Sequence, residues 1–154
     1  MLMTISTYKK SLLFRKAQGK VHHDNYKNKI NYFLGEYIDD NYFLGLEETD
    51  KIIDHLRALD QGEKKIIVID TISELVDILK EKTGNLPFYL LIDEEWKFCG
   101  AYKVISNVKY NYSFDFDKYA SDEIRIISLD FTFQIKIDYD SADINFIYIE
   151  YEFK

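Results

Sequence analysis

Three histidines, one cysteine and 27 carboxylates are the side chains of this 154-residue chain that could act on a substrate or hold a metal. His22-His23-Asp24, with His55 further on, is the one grouping of metal-ligating types. Zinc takes about four ligands in a defined geometry. Adjacent histidines in a strand point to opposite faces, and no cysteine joins them at ligand spacing. The group reads as a solvated loop. Cys99 would be a nucleophile only if a base or cation lowered its pKa, and nothing beside it in the sequence does so. A cysteine between Phe98 and Gly100 reads as packing. Carboxylates are so numerous that any two can be nominated as acid and base, so their abundance carries no signal without a pocket. The glycines are isolated, and no phosphate-cradling loop exists. No catalytic or cofactor motif is present. The chain is therefore expected to be neither an enzyme nor a holder of cofactor or metal.

Charge is more informative. The net charge is −7, but residues 1–30 carry seven Lys/Arg against Asp24 alone, and residues 31–154 carry 13 basic against 26 acidic groups. An acidic body of this kind repels nucleic acid and attracts basic surfaces. The N-terminal cations, with Tyr8 and Phe14, have the types that touch RNA, yet they read more simply as a solvated helix face offset by that body. The carboxylates cluster in predicted turns: Asp39-Asp40, Glu47-Glu48, Asp93-Glu94-Glu95 and Asp115/Asp117, with Tyr37, Tyr42, Trp96 and Phe116 beside them. Carboxylates speed encounter with a basic partner, and buried Tyr or Trp then supplies the hold. The competing role of such turns is solubility. Asp39, Asp40, Asp93, Glu94, Glu95 and Trp96 are the residues expected to meet a partner.

The elements that must position these turns follow from periodicity. Apolar residues fall on alternate positions from Ile127 to Tyr139, and alternation resumes through Ile147, Ile149, Tyr151 and Phe153. That pattern predicts two strands joined by the polar link Asp138–Asp143, an antiparallel hairpin. Between Ile126 and Ile127 the apolar phase flips from even to odd positions, which predicts a β-bulge. Upstream, Pro87 opens a strand over Phe88–Ile92. Asp93-Glu94-Glu95 turns the chain, Trp96–Val104 runs back, and Val108–Phe116 makes a further strand. Ile66 to Ile69, in the run Lys65–Asp70, reads as a strand covered on both faces.

Two or three helices are expected, the first of them alternatively an extended segment. A short one starts at Ser6 or Thr7 and stops at Gly19. A second opens at Thr49-Asp50 and stops at Gly62. The third opens with the capping box Thr71-Ile72-Ser73-Glu74, carries Ile72, Leu75, Val76 and Leu79 on one face, and stops at Gly84. The echo Asn31-Tyr32-Phe33-Leu34-Gly35 and Asn41-Tyr42-Phe43-Leu44-Gly45 predicts a hairpin over Ile30–Leu46.

The sum is one α+β domain over residues 1–154: a curved, mainly antiparallel sheet with two or three helices packed on it. A single thiol suits a reducing compartment, so a cytoplasmic location is expected. No apolar run approaches the roughly 20 residues that span a bilayer, so no membrane partner is expected. A small acidic chain rich in Ile, Tyr, Asp and Lys, without catalytic motif or export signal, resembles in type the bacterial immunity proteins of polymorphic and contact-dependent toxin systems. The resemblance implies a tight inhibitor of one cognate basic toxin, often a nuclease, whose cleft is blocked by carboxylates standing where phosphates would sit. Two other roles fit the same sequence. One is a small-ligand binder or enzyme using the concave face of the sheet. The other is an assembly subunit pairing through an open edge such as Tyr148–Phe153.

Overall fold

The computed structural model describes residues 2–105 and 108–153, with side chains from residue 7 onward. Among these residues the order is α1 (Leu2–Leu34), a 3-10 turn (Asp40–Tyr42), α2 (Leu46–Ala58), β1 (Gln61–Ile69), α3 (Ile72–Thr83), β2 (Phe88–Ile92), the single turn α4 (Trp96–Cys99), β3 (Tyr102–Val104), β4 (Glu123–Ser128), β5 (Phe133–Asp140) and β6 (Asn145–Phe153). The six strands form one open, curved sheet in the order β1-β6-β5-β4-β2-β3. Every neighbouring pair is antiparallel. This is the α+β class expected from the sequence.

Side chains alternate between the two faces of the sheet, and those paired across antiparallel strands share a face. One face carries Leu90, Ile92, Ile124, Ile126, Ile135, Ile137 and Tyr148. It is covered by Tyr26, Ile30 and Phe33 of α1, by Leu75, Val76 and Leu79 of α3, and by Tyr110, Phe114 and Phe116 of the segment before β4. On the other face, Ile52, Ile53 and Leu56 of α2 pack on Leu91 of β2 and Ile127 of β4. Over β1, Ile66 and Val68 stay exposed on that second face.

Several elements differ from expectation, each for a physical reason. α1 is one helix of 33 residues, about 50 Å long at 1.5 Å per residue. It replaces the short helix, the His22–Asn25 loop and the Ile30–Leu46 hairpin. Thr7 lies inside it, and the Ser6 side chain lies outside the described residues. Gly19 does not stop the helix. Its missing side chain lets the Phe98 carbonyl approach to where a Cβ would lie 2.5 Å from the oxygen, and this is how α1 seats against α4. The helix ends at Gly35, whose φ of +68° is the left-handed cap that glycine adopts freely. The second copy of the echo forms the 3-10 turn and a lone bridge from Phe43 to Tyr102.

β1 is an edge strand paired to β6 alone, and the exposure of Ile66 and Val68 shows that one of its faces is uncovered; β6 lies inside the sheet, and Tyr148–Phe153 is not an open edge. α2 begins at Leu46 and ends at Ala58, and Gly62 lies within β1. The run from Trp96 folds into α4 before β3, and 108–116 is an irregular segment rather than a strand. Its alternation is real at three positions, since Tyr110, Phe114 and Phe116 enter the core. No bulge follows Ile126. Ile126 enters the main core and Ile127 the smaller one under α2, so the phase flip records burial on both faces. The Ile127–Tyr139 run is broken by a turn, where the Ser128 hydroxyl accepts from the amides of Thr132 (2.9 Å) and Phe133 (3.0 Å). Three further expectations match: Thr71 caps α3 by accepting from the Glu74 amide at 3.2 Å, β2 spans Phe88–Ile92, and β5 and β6 form the hairpin, with β5 running on to Asp140 inside the expected link.

Candidate functional site

β1, β2 and β5 finish at the end of the sheet where β4 and β6 begin, as fixed by the pairs Ile69 with Phe146, Ile92 with Ile124, Glu123 with Asp138 and Asp140 with Asn145. That register collects at one end the carboxylates of Asp70, Asp93, Glu94, Glu95, Asp122, Glu123, Asp138, Asp140 and Asp143. Asp115 and Asp117 join them, because the Tyr139 hydroxyl of β5 donates to Asp117 at 2.8 Å. Asp70, Asp115, Asp117, Tyr139 and Ile144 line a shallow cleft of about 260 Å³ at this end.

Part of this charge is neutralised from within. Lys29 of α1 is 3% exposed and donates to Asp93 at 2.7 Å and to Glu95. Asp93 also accepts from the amides of Asp122 (2.8 Å) and Glu123 (2.9 Å), and Asn25 donates to Glu95 at 3.1 Å. Burial works against charge on both Lys29 and Asp93. Their ion pair, with the two amides on Asp93, outweighs it, so the ammonium is held above and the carboxyl below the usual range. Glu94 pairs with Lys97, and Glu123 and Asp138 share Lys136 at 3.8 and 3.7 Å. Among the described residues, none of Asp70, Asp115, Asp117, Asp122, Asp140 and Asp143 has a cation within 4 Å.

Neighbouring carboxylates act on one another's surroundings at this end. A hydrogen bond to Asp93, burial and the charges of Asp93 and Glu123 raise the pKa of Asp122. The Tyr139 hydroxyl is raised by its bond to Asp117, by burial and by Asp115 and Asp140. Aromatic rings border the carboxylates. Tyr32 stacks on Tyr119 with centroids 4.5 Å apart, and Tyr139 packs on Phe116 at 5.2 Å. Ile144 at the tip of the β5–β6 turn is 68% exposed. An end with this make-up can attract and grip a cationic surface.

The six residues singled out from the sequence do not form one patch. Asp93 and Glu95 turn inward onto Lys29, and Glu94 faces solvent beside Lys97. Trp96 is half-buried between the two cores, 5.2 Å from the Arg125 guanidinium. It lines a separate cavity of about 550 Å³ with Tyr8, Arg15, Asp50 and Phe98. Asp39 caps the 3-10 turn by accepting from the Asn41 amide at 2.9 Å. Asp40 pairs with Lys27 at 2.8 Å and lies 3.7 Å from His23, which holds its carboxyl low. Lys27 and His23 sit on the flank of α1 turned about 200° from Lys29 and Asn25, so α1 separates Asp39-Asp40 from the acidic end. Asp70, Asp122, Asp140, Asp143 and Tyr139 were missed as site residues. The signal was present in the acidic link Asp138–Asp143, read only as a hairpin connection.

His22 stacks on Phe98, and His23 and His55 meet Phe43 and Phe131 edge-on. Among the described residues no group of three or more His, Cys, Asp and Glu is placed to hold a metal ion. The Cys99 thiol is pushed up to about 11 by burial and by Glu95, the reverse of nucleophile activation. Among the described residues no helix is long and apolar enough to cross a membrane. No protein-family model matches the chain, and neither curated proteins nor solved structures give a significant match.

Proposed function

We propose that the chain is an immunity-type inhibitor that receives a basic partner protein, a cognate toxin, on the acidic end of its sheet. The observation that carries this reading is the gathering there of six carboxylates without internal cations beside the Tyr32–Tyr119 and Tyr139–Phe116 ring pairs. Such a field steers a cationic partner into encounter. The tyrosines and Ile144 then supply the apolar contact that slows release. The carboxylates would occupy a nuclease cleft where substrate phosphates bind. Asp122, raised by its neighbours Asp93 and Glu123, gains from an incoming lysine or arginine. The anionic patch needs no mobile element, because the register of four antiparallel strand pairings fixes it in place.

The test is co-expression with a basic toxin domain encoded beside the gene, together with association rates measured against salt. Wild type is expected to protect the cell and to associate along a steep ionic-strength curve. The variant Asp115→Asn/Asp117→Asn/Asp140→Asn/Asp143→Asn should associate at least about tenfold more slowly at low salt and show a flattened curve. Full protection and an unchanged salt slope in that folded variant would remove the basis of the proposal.

A further inference from the structure

The outward face of α1 is unpartnered and apolar, although the rest of that helix is well anchored. Leu13, Phe14 and Val21 are 69%, 61% and 73% exposed, and Ala17 between them is exposed as well. The opposite side of the helix is fixed by the Arg15–Asp50 pair at 2.8 Å, by Gly19 against Phe98 and by the Tyr26 hydroxyl donating to the Gly100 carbonyl at 2.9 Å. The apolar face is therefore held outward by the fold.

Its arrangement is symmetric about Ala17. At about 100° per residue, Leu13 and Val21 lie about 40° to either side of Ala17, and Lys10 and Asp24 lie about 20° to either side. Asp24 is the single acid among residues 1–30. Among the described residues neither Lys10 nor Asp24 has an ion pair. An antiparallel pair of such helices, related by a two-fold axis at Ala17, places Leu13 on Val21 of the other copy and Lys10 on Asp24 of the other copy, each twice. Phe14 falls on the aliphatic stem of the other copy's Lys20. Alanine at the centre lets the two backbones come close.

We infer that the occupant of this face is a second copy of the chain, paired antiparallel through α1 about Ala17. The isologous two-fold arrangement satisfies the one unpaired acid of the N-terminal segment and covers three exposed apolar side chains per copy. The residues that make this face, between Lys10 and Asp24, are separate from those of the acidic end, which lies beyond Lys29 on the same helix. Three apolar side chains and one ion pair per copy bury less than the roughly 1,200 Å² of a standard interface, so the dimer is weak, with a Kd on the order of tens of micromolar.

Sedimentation velocity across a concentration series tests it. Wild type is expected to pass from monomer to dimer. Lys10→Asp and Asp24→Lys each set like charges against each other twice and should weaken the dimer at least tenfold. An equimolar mixture of these two variants restores both ion pairs and should dimerise again, as should the double variant. Ala17→Cys in a Cys99→Ser background should form a disulfide-linked dimer, because the two residues meet on the axis. A wild type that stays monomeric at about 500 µM, well above such a Kd, would overturn the inference. So would a dimer indifferent to the single charge reversals, or a mixture that fails to recover. Vesicles of anionic phosphatidylglycerol provide the competing arm. A monomeric chain that binds them through Leu13 and Phe14 would assign the face to a membrane surface instead.

Discussion

Replacing Lys29 by methionine tests whether the cation beneath the acidic end holds the fold together there. The Lys29 side chain is 4% exposed, and its partners Asp93 and Glu95 have side chains 9% and 12% exposed. Methionine fills the same volume but leaves both carboxylates charged and without their cation. Removing one partner of a buried pair costs about 3–5 kcal/mol, chiefly from the charge left behind. Asp93 keeps its two backbone donors, so the lower half of that range is expected. For a domain of this size a loss of about 3 kcal/mol lowers Tm by roughly 6–12 °C. Urea melts followed by circular dichroism, at neutral and acidic pH, give the measurement.

The pH dependence has a definite sign. The folded-state pKa of Asp93 is depressed, so its contribution is present above the unfolded carboxylate value of about 3.9 and is lost as pH falls through the folded value. That of Lys29 is raised, so its contribution is present below about 10.4 and is lost as pH rises through the folded value. Lys29→Met should therefore flatten the acid limb of the stability curve as well as lower its plateau. In an Asp93→Asn/Glu95→Gln background, where the buried ammonium has itself lost both partners, the same substitution should be neutral to stabilising. A loss under about 1 kcal/mol in the single variant, or an equal loss in both backgrounds, would refute the reasoning.

Two further outcomes follow from the geometry. Gly19→Ala puts a methyl group 2.5 Å from the Phe98 carbonyl oxygen, so α1 and α4 must separate. Overpacking of this kind costs about 1–3 kcal/mol, readable in a urea melt and in the fluorescence of Trp96. Asp122→Asn removes a carboxylate that its neighbours push up in pKa. A raised acid destabilises the folded state above that pKa, so the variant should melt slightly higher at neutral pH, and the gain should vanish as pH falls into the carboxylate range.

Legibility in the sequence tracks how one-sided an element's environment is. α3 was readable because Leu75, Val76 and Leu79 face the core while its other side is wet, and Thr71 announces the start. The β5–β6 hairpin was readable for the same reason, with Ile135 and Ile137 buried in alternation. α1 was not, because Leu13, Phe14 and Val21 put apolar residues on its outward side and blur the periodicity. β1 was misread because Ile66-Ile67-Val68-Ile69 looks doubly covered, whereas only α3's side of it is buried. Tyr110, Phe114 and Phe116 imitate a strand, since an irregular segment laid across a core can also dip inward at alternate positions. At the acidic end, local charge density was visible, but the register that brings Asp70 beside Asp115, Asp117 and Asp143 is a long-range property. Lys29 was unreadable as the counter-ion of Asp93 and Glu95 for the same reason.

The free edge of the sheet has a consequence for how the chain acquires its shape. β1 touches only β6 within the sheet, and β6 is the last of the six described strands to be synthesised. Ile66 must wait for Ile149, and until then α3 has no platform beside the β5 strand. Joining segments so far apart demands a large loop closure before any reward, which slows folding relative to a chain of local contacts. A fragment ending before Asn145 could form the β4–β5 hairpin but would leave β1 without a neighbour. Docking of β1 into the sheet is thereby gated by the last nine-residue strand of the described residues.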